Sequence, residues 1–153
     1  MKTDLDTTIR NSWNEALGSW SNPSIPRVIA PKTEGEIKAL GKMGKALSDE
    51  LAFMHIRDFQ TYVNVPRVLE AFRDDPERGI KVVTGHEVGH RFCPYDVVTS
   101  IILKNSIKRA LDGKELPYDA EAASAVVLNL YSDMVINTNN VRKGDENLPW
   151  GYQ

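Results

Sequence analysis

Residues 75–93 read DPERGIKVVTGHEVGHRFC, and this stretch predicts the helix around which the rest of the chain folds. Asp75 can cap a helix whose first position is Pro76, because the first helical turn leaves its amide protons unpaired and proline has none to lose. At the other end Cys93 precedes Pro94, and the residue before a proline avoids helical backbone angles. The stretch is therefore expected to form one helix that ends near Cys93.

This helix carries the spacing His86-Glu87-Val88-Gly89-His90. Positions i and i+4 of a helix project from one face, so both imidazoles can reach one metal ion. Two neutral imidazoles and one further ligand hold Zn²⁺ tetrahedrally and leave a position for water, whose proton Glu87 can accept. With three histidines in 153 residues, only about 0.004 matches to this pattern are expected by chance. We predict a zinc site with His86 and His90 as ligands and Glu87 as the catalytic carboxylate.

The third ligand is expected on a later helix. Residues 120–137 are apolar nearly all round, which predicts a buried helix. Asn129, Asp133 and Asn137 follow one another at i+4 spacing and form a polar stripe on it. A buried carboxylate is costly unless it is paired or coordinates a cation. Asp133 is therefore the favoured third ligand, and the two asparagines are expected to orient the ligands through hydrogen bonds.

These residues carry a resemblance to known enzymes. The first motif resembles that of the zincin metallopeptidases, and the stripe around Asp133 resembles the helix that follows this motif in metallopeptidase domains associated with von Willebrand factor A-type proteins. Gluzincin-like minimal metallopeptidases are a looser comparison. The resemblance covers about residues 50 to 140 and implies hydrolysis of a peptide or protein substrate.

Two other acids are alternatives for the third ligand. A metzincin pattern would align Asp96 with that ligand, although Cys93 and a following proline stand where that family has a glycine with unusual backbone angles. Gluzincins have a glutamate ligand on the later helix and an aspartate four residues further on. This chain offers Glu121 and Ala125 at those positions, which lowers Glu121 as a candidate.

Two apolar runs, residues 51–56 and 61–65, are rich in β-branched and aromatic side chains and predict a hairpin or two adjacent strands. Polar and apolar residues alternate along the second run, as is typical of an edge strand with one face in water. Zincins bind extended peptides along such a strand, so the resemblance implies that Tyr62, Val63 and Asn64 line the substrate cleft through main-chain pairing. The expected fold class is α+β, with a small mixed sheet whose edge strand packs against the metal helix and its partner helix.

Further helices are predicted over residues 4–20, 34–47 and about 94–111, and a short strand over 27–30. A chain of 153 residues can bury a core without disulfides. Residues 1–140 are expected to form one zincin-like domain, followed by a polar arm or linker over residues 141–153.

The charge composition argues against two classes of partner, and the cysteine content bears on the compartment. The formal net charge is -2, from 21 acidic and 19 basic residues, and no basic block is present. We therefore expect no binding to nucleic acid and none to an anionic membrane surface. The first twenty residues lack the apolar run of a secretory signal, and the single cysteine permits no internal disulfide. These features predict a cytoplasmic protein.

The alternative function is a metal-binding regulatory or interaction module whose zinc site is structural or latent. The polar arm suggests latency, because Asp145 or Glu146 could occupy the open coordination position. A third possibility is a helical scaffold protein without metal. If the site is catalytic, four tyrosines are candidates for stabilising the oxyanion: Tyr62, Tyr95, Tyr118 and Tyr131.

Overall fold

A computed structural model describes residues 4–55, 57–93, 97–115 and 119–142. Within these ranges the chain is rich in helix and contains a small antiparallel sheet, so the α+β class is confirmed at this level. The elements in chain order are α1 (Leu5–Ser19), α2 (Glu34–Ala39), α3 (Lys42–Leu47), β1 (Ala52–His55), β2 (Gln60–Val63), α4 (Val65–Ala71), α5 (Pro76–Gly89), α6 (Val97–Leu111) and α7 (Ala120–Arg142).

Helix α5 packs against most other elements, and its predicted start is confirmed. The Asp75 carboxylate accepts a hydrogen bond from the Arg78 backbone N–H at 3.1 Å, and Pro76 takes the first helical position. Helix α1 corresponds to the helix predicted for residues 4–20 and packs along α5 through a buried face that includes Ile9, Trp13 and Ala16. Two clusters of buried side chains follow the helix. The first contains Ile9, Val63, Val65, Val68, Ile80 and Val83, and the second contains Trp13, Ala16, Trp20, Val88, Cys93 and Ile136.

The predicted hairpin is present, with Phe53 of β1 opposite Tyr62 of β2 in an antiparallel pair. The other side of β2 is occupied by Ile29, which forms a single parallel bridge in place of the strand predicted over residues 27–30. The Ile29 N–H donates to the Thr61 carbonyl at 2.9 Å, and the Val63 N–H donates to the Ile29 carbonyl at 2.9 Å. Strand β2 therefore lies between two neighbours, and the prediction that it is the edge strand was wrong.

The proposed substrate residues on this strand are also corrected. The predicted main-chain pairing with a substrate is not available, because the Val63 N–H donates to the Ile29 carbonyl and the Asn64 N–H donates to the Leu51 carbonyl at 2.8 Å. The side chains of both residues are also buried. The Asn64 side chain caps α4, a helix that the sequence pattern does not predict. It accepts a hydrogen bond from the Arg67 N–H at 3.2 Å. Its amide nitrogen donates to the Leu47 carbonyl at 2.9 Å and so ties this turn to the end of α3.

The single helix predicted over residues 34–47 is divided into α2 and α3. Its predicted start is correct, because the Thr33 hydroxyl accepts a hydrogen bond from the Glu36 N–H at 3.2 Å. The division occurs at Gly41, whose φ of +61° lies outside the right-handed helical region and favours glycine. A residue with a side chain would be strained there.

Helices α6 and α7 form the remaining layer. Lys104 and Lys108 on α6 both bind Glu121 on α7, at 2.5 and 3.0 Å. Helix α7 packs mainly against α5 and α6. It is not buried all round as predicted, because apolar side chains along it are exposed. Within the described residues, no helix combines the length and apolar character needed to cross a bilayer. The exposed apolar side chains are Val98, Ile101 and Ile102 on α6, and Val126, Val127, Leu130, Tyr131, Met134 and Val141 on α7.

Candidate metal centre

The two halves of the candidate site meet where α7 crosses the end of α5. Gly89 permits this contact, because a Cβ atom built on it would lie 2.5 Å from Ile136 Cγ2 and 3.0 Å from Trp20 Cζ2. Glycines in a helix each cost roughly 1 kcal/mol relative to alanine, and at Gly89 this cost accompanies close approach by another element. The same reason holds for Gly79, whose Cβ would lie 2.5 Å from the Phe72 side chain. The approach at Gly89 brings α7 within reach of both motif histidines.

His86, His90 and Asp133 form one compact group. Nε2 of His86 lies 3.2 Å from Nε2 of His90. Oδ1 of Asp133 lies 3.3 Å from Nε2 of His86 and 3.6 Å from Nε2 of His90. The three side chains retain between 17% and 29% of their accessible surface, so the group lies in a recess that solvent can still reach. Among the described residues, these three are the ones whose ligand atoms converge closely enough to hold a metal ion.

The triangle has the dimensions of three ligands around a tetrahedral ion. With metal–ligand distances near 2.0–2.1 Å, two ligand atoms in a tetrahedral zinc site are about 3.3 Å apart. The donor set of two imidazoles and a carboxylate also suits zinc. Asp133 Oδ1 is buried, and apart from the two motif histidines it has no hydrogen-bond partner among the described residues. When both imidazoles present lone pairs, this buried acceptor needs another partner, and the residues present fit a cation at this point.

Hydrogen bonds orient all three candidate ligands. Oδ1 of Asn137 lies 3.0 Å from Nδ1 of His86, and Nδ2 of Asn129 donates to Oδ2 of Asp133 at 3.2 Å. The carbonyl of Cys93 accepts a hydrogen bond from the His90 ring, whose Nε2 faces the cluster. Each contact occupies the outer polar atom of a candidate ligand and leaves the inner atom directed at the shared point. The two asparagine contacts agree with the predicted stripe, whereas the Cys93 carbonyl carries no signal in the sequence.

The surroundings set the charges of these groups. Burial, together with the neighbouring His86, lowers the pKa of His90 to about 4, so the His90 ring is neutral at pH 7 with a free lone pair. For His86, burial lowers the pKa, but the hydrogen bond to Asp133 and the charge of Glu87 outweigh it, and the net change is upward. Burial acts to raise the pKa of Asp133, but its hydrogen bond and charge interaction with His86 outweigh this and lower it. The interaction between His86 and Asp133 therefore favours the charged form of each group.

Glu87 lies beside this group and is buried, with 7% of its surface exposed. Burial raises the pKa of the Glu87 carboxyl to about 7. Its carboxylate accepts a hydrogen bond from the Met54 backbone N–H, which holds it against strand β1. Oε2 is buried without a hydrogen-bond partner among the described residues. A carboxyl with this pKa can both accept and return a proton near neutral pH.

A cavity of about 680 Å³ opens onto the group, between β1, α6, α7 and the end of α5. Its wall includes the outer edge of β1, on the side away from β2. No tyrosine of the described residues lines it, and Tyr95 and Tyr118 lie outside those ranges. Around the candidate ligands the lining includes Glu50, Phe53, Met54, Phe59, Arg91 and Lys104.

The other candidate residues that the structure describes do not belong to the group of His86, His90 and Asp133. Glu121 precedes Asp133 by twelve residues on α7, which is about 18 Å along a helix, and its carboxylate is bound by the lysines of α6. Tyr62, Val63 and Asn64 do not line the cavity. The Cys93 thiol is buried in the cavity wall but does not belong to the metal-ligating group, and its pKa is raised by burial. Three further acids lie outside the described residues: Asp96, Asp145 and Glu146.

Comparisons of the chain with protein-family models, with curated proteins and with solved structures found no match. The function of this chain is therefore inferred from the donor atoms, their separations and their surroundings. Those observations establish a group that could bind a metal ion at the crossing of α5 and α7.

Proposed function

We propose that this chain is a zinc-dependent metallopeptidase in which His86, His90 and Asp133 hold the ion. The observation that carries the proposal is the triangle of ligand atoms, with sides of 3.2, 3.3 and 3.6 Å, beside a buried glutamate and an open cavity. A structural zinc site has four protein ligands, whereas a catalytic one has three and keeps a position for water. The described residues supply three, which favours catalysis over a closed structural site.

Bound zinc would supply Lewis-acid chemistry, lowering the pKa of water and polarising the scissile carbonyl. The protein's own proton carrier is Glu87, adjacent in sequence to the first candidate ligand. Its carboxylate accepts the proton of the attacking water and then gives it to the departing amine. The Met54 N–H restrains this carboxylate, so that the unpartnered Oε2 is available for the transfer.

The outer edge of β1 is the surface proposed to bind an extended peptide, in place of β2. The backbone groups of Thr61 and Val63 form hydrogen bonds to Ile29, on the side of β2 away from β1. The residues opposite them on β1, Met54 and Ala52, therefore direct their own backbone N–H and C=O groups away from β2. Ala52 and Met54 also line the cavity. With the Met54 N–H engaged by Glu87, the Met54 carbonyl and both backbone groups of Ala52 are offered to a substrate strand.

The substitution Glu87→Gln tests this function. Zinc content, measured by elemental analysis after dialysis, should stay stoichiometric, while hydrolysis of a peptide mixture should fall by a factor of about 100 or more. Glu77→Gln is the matched control, since Glu77 is an exposed glutamate on the same helix and lies outside the cavity. Undiminished cleavage by the Glu87→Gln protein would remove the proposed mechanism.

A further inference from the structure

Arg91 occupies the cavity wall directly after His90, in the turn that ends α5. Its guanidinium carbon lies 4.2 Å from the centroid of the Phe59 ring. Phe59 belongs to the turn between β1 and β2 and lines the same cavity. The two side chains therefore lie together in the cavity wall, at the hairpin turn.

The turn holds Phe59 in an unusual conformation. Its φ is +57°, in the left-handed region that aromatic residues rarely adopt and that glycine or asparagine enters more easily. The Phe59 N–H donates to the His55 carbonyl at 2.8 Å, and the Asp58 carboxylate accepts from the Gln60 N–H at 3.0 Å. These bonds stabilise the turn, and what the aromatic side chain adds is a flat surface for the guanidinium of Arg91.

Arg91 has donors that the described residues do not satisfy. Its Nε is buried and has no hydrogen-bond partner, and no carboxylate of the described residues lies within ion-pair distance of it. The other cationic side chain in the cavity wall, Lys104, is bound to Glu121 at 2.5 Å. A buried guanidinium donor without an acceptor is costly, and a bound ligand can remove that cost.

We propose that Arg91 binds a carboxylate of the substrate, and that the enzyme selects peptides with an acidic group near the scissile bond. This inference rests on the proposed peptidase function and adds a substrate class to it. A guanidinium pairs with a carboxylate through two parallel hydrogen bonds, so a fixed arginine recognises this group by shape as well as charge. The stack on Phe59 supplies that fixed orientation. The carboxylate belongs either to an acidic side chain or to a free C-terminus.

The test measures binding of four peptide hydroxamates, whose hydroxamate group ligates zinc, to the zinc-loaded full chain by calorimetry. One probe has an aspartate side chain and an amidated end, and another has a free C-terminal carboxylate and no acidic side chain. The other two are the matching carboxamides. Arg91→Gln removes the charge, and Arg91→Lys keeps the charge without the planar donors. Arg73→Gln, an exposed arginine outside the cavity, is the control.

The chain should bind at least one carboxylate probe about tenfold more tightly than its carboxamide, as expected for a charge-assisted pair. Arg91→Gln should abolish this preference, Arg91→Lys should retain part of it, and Arg73→Gln should retain all of it. The preferred probe identifies the source of the carboxylate. Equal affinity for acid and amide, or a preference that survives in Arg91→Gln, would overturn the inference.

The same experiment separates this inference from the proposed function. A chain that retains no zinc would overturn both. A chain that binds zinc and prefers carboxylate probes through Arg91, but cleaves no peptide in a mixture, would overturn the hydrolase function and leave Arg91 as a carboxylate-binding residue.

Discussion

Oδ1 of Asn137, on α7, lies 3.0 Å from Nδ1 of His86, on α5. Because an amide oxygen can only accept, the Nδ1 atom carries a proton, and in the neutral ring the lone pair is on Nε2. That nitrogen faces His90 and Asp133. One hydrogen bond between two helices therefore fixes both the tautomer and the direction of a candidate metal ligand.

Asn137→Ala should weaken zinc binding by about 10- to 100-fold, because the His86 ring would lose its acceptor and rotate more freely. Competition with a chromophoric chelator measures the affinity. Asn105→Ala removes an exposed amide from α6 and should leave the affinity unchanged. Equal affinities of the Asn137→Ala protein and the parent chain would show that the contact does not support a metal ligand.

Asp133→Ala should abolish stoichiometric zinc retention, since it removes the only described carboxylate in the group of three. Glu121→Ala should retain the metal, because that carboxylate binds Lys104 and Lys108. Asp96→Ala should retain it as well. Elemental analysis of the dialysed proteins decides the matter, and loss of zinc in Asp96→Ala alone would transfer the third-ligand assignment to Asp96.

Gly89→Ala should lower the free energy of unfolding by about 1 to 3 kcal/mol, the usual cost of overpacking a close contact. Its added methyl group would lie 2.5 Å from Ile136 Cγ2. Gly18→Ala is the matched control, because nothing lies within 4 Å of a Cβ at that position in α1, and it should stabilise the helix by up to about 1 kcal/mol. Urea unfolding of the metal-free proteins measures both, and similar effects of the two changes would contradict the packing at Gly89.

Zinc removal should lower the thermal midpoint of unfolding. A ligand that binds only the folded state adds about 2.7 kcal/mol to the free energy of unfolding at a free concentration of 100 times its Kd. Thermal scans with zinc and with a chelator measure this difference. It should vanish in the double variant His86→Ala/His90→Ala, and a zinc-dependent shift that persists there would place the ion elsewhere.

The sequence predicts most of the candidate metal group because the patterns that indicate its residues each lie within a few neighbouring positions. The caps at Asp75 and Thr33 bind backbone amides three residues away, so short patterns suffice to place these helix starts. Likewise, the spacing of His86 and His90 places both rings on one face of α5, whatever the rest of the chain does. The polar stripe containing Asp133 is local to α7 in the same way.

The sheet was less predictable, because strand pairing depends on residues that are distant in sequence. The alternation in residues 61–65 was correctly interpreted as a strand, but no local feature shows that Ile29 occupies its second side. The exposed edge is consequently on β1, and Val63 belongs to the core. The turn at Asn64 into α4 was missed for a related reason, since the β-branched residues around it also suit a strand.

The sequence by itself determined which side chains could bind a cation, and it placed them on two helices, because helical periodicity acts within a few residues. Only the tertiary structure decided that α7 crosses α5 at Gly89, that β1 has the open edge, and that Arg91 lies on Phe59 in the cavity wall. Each of these contacts depends on close packing between segments far apart in the chain, and the residues of one segment do not encode the position of the other.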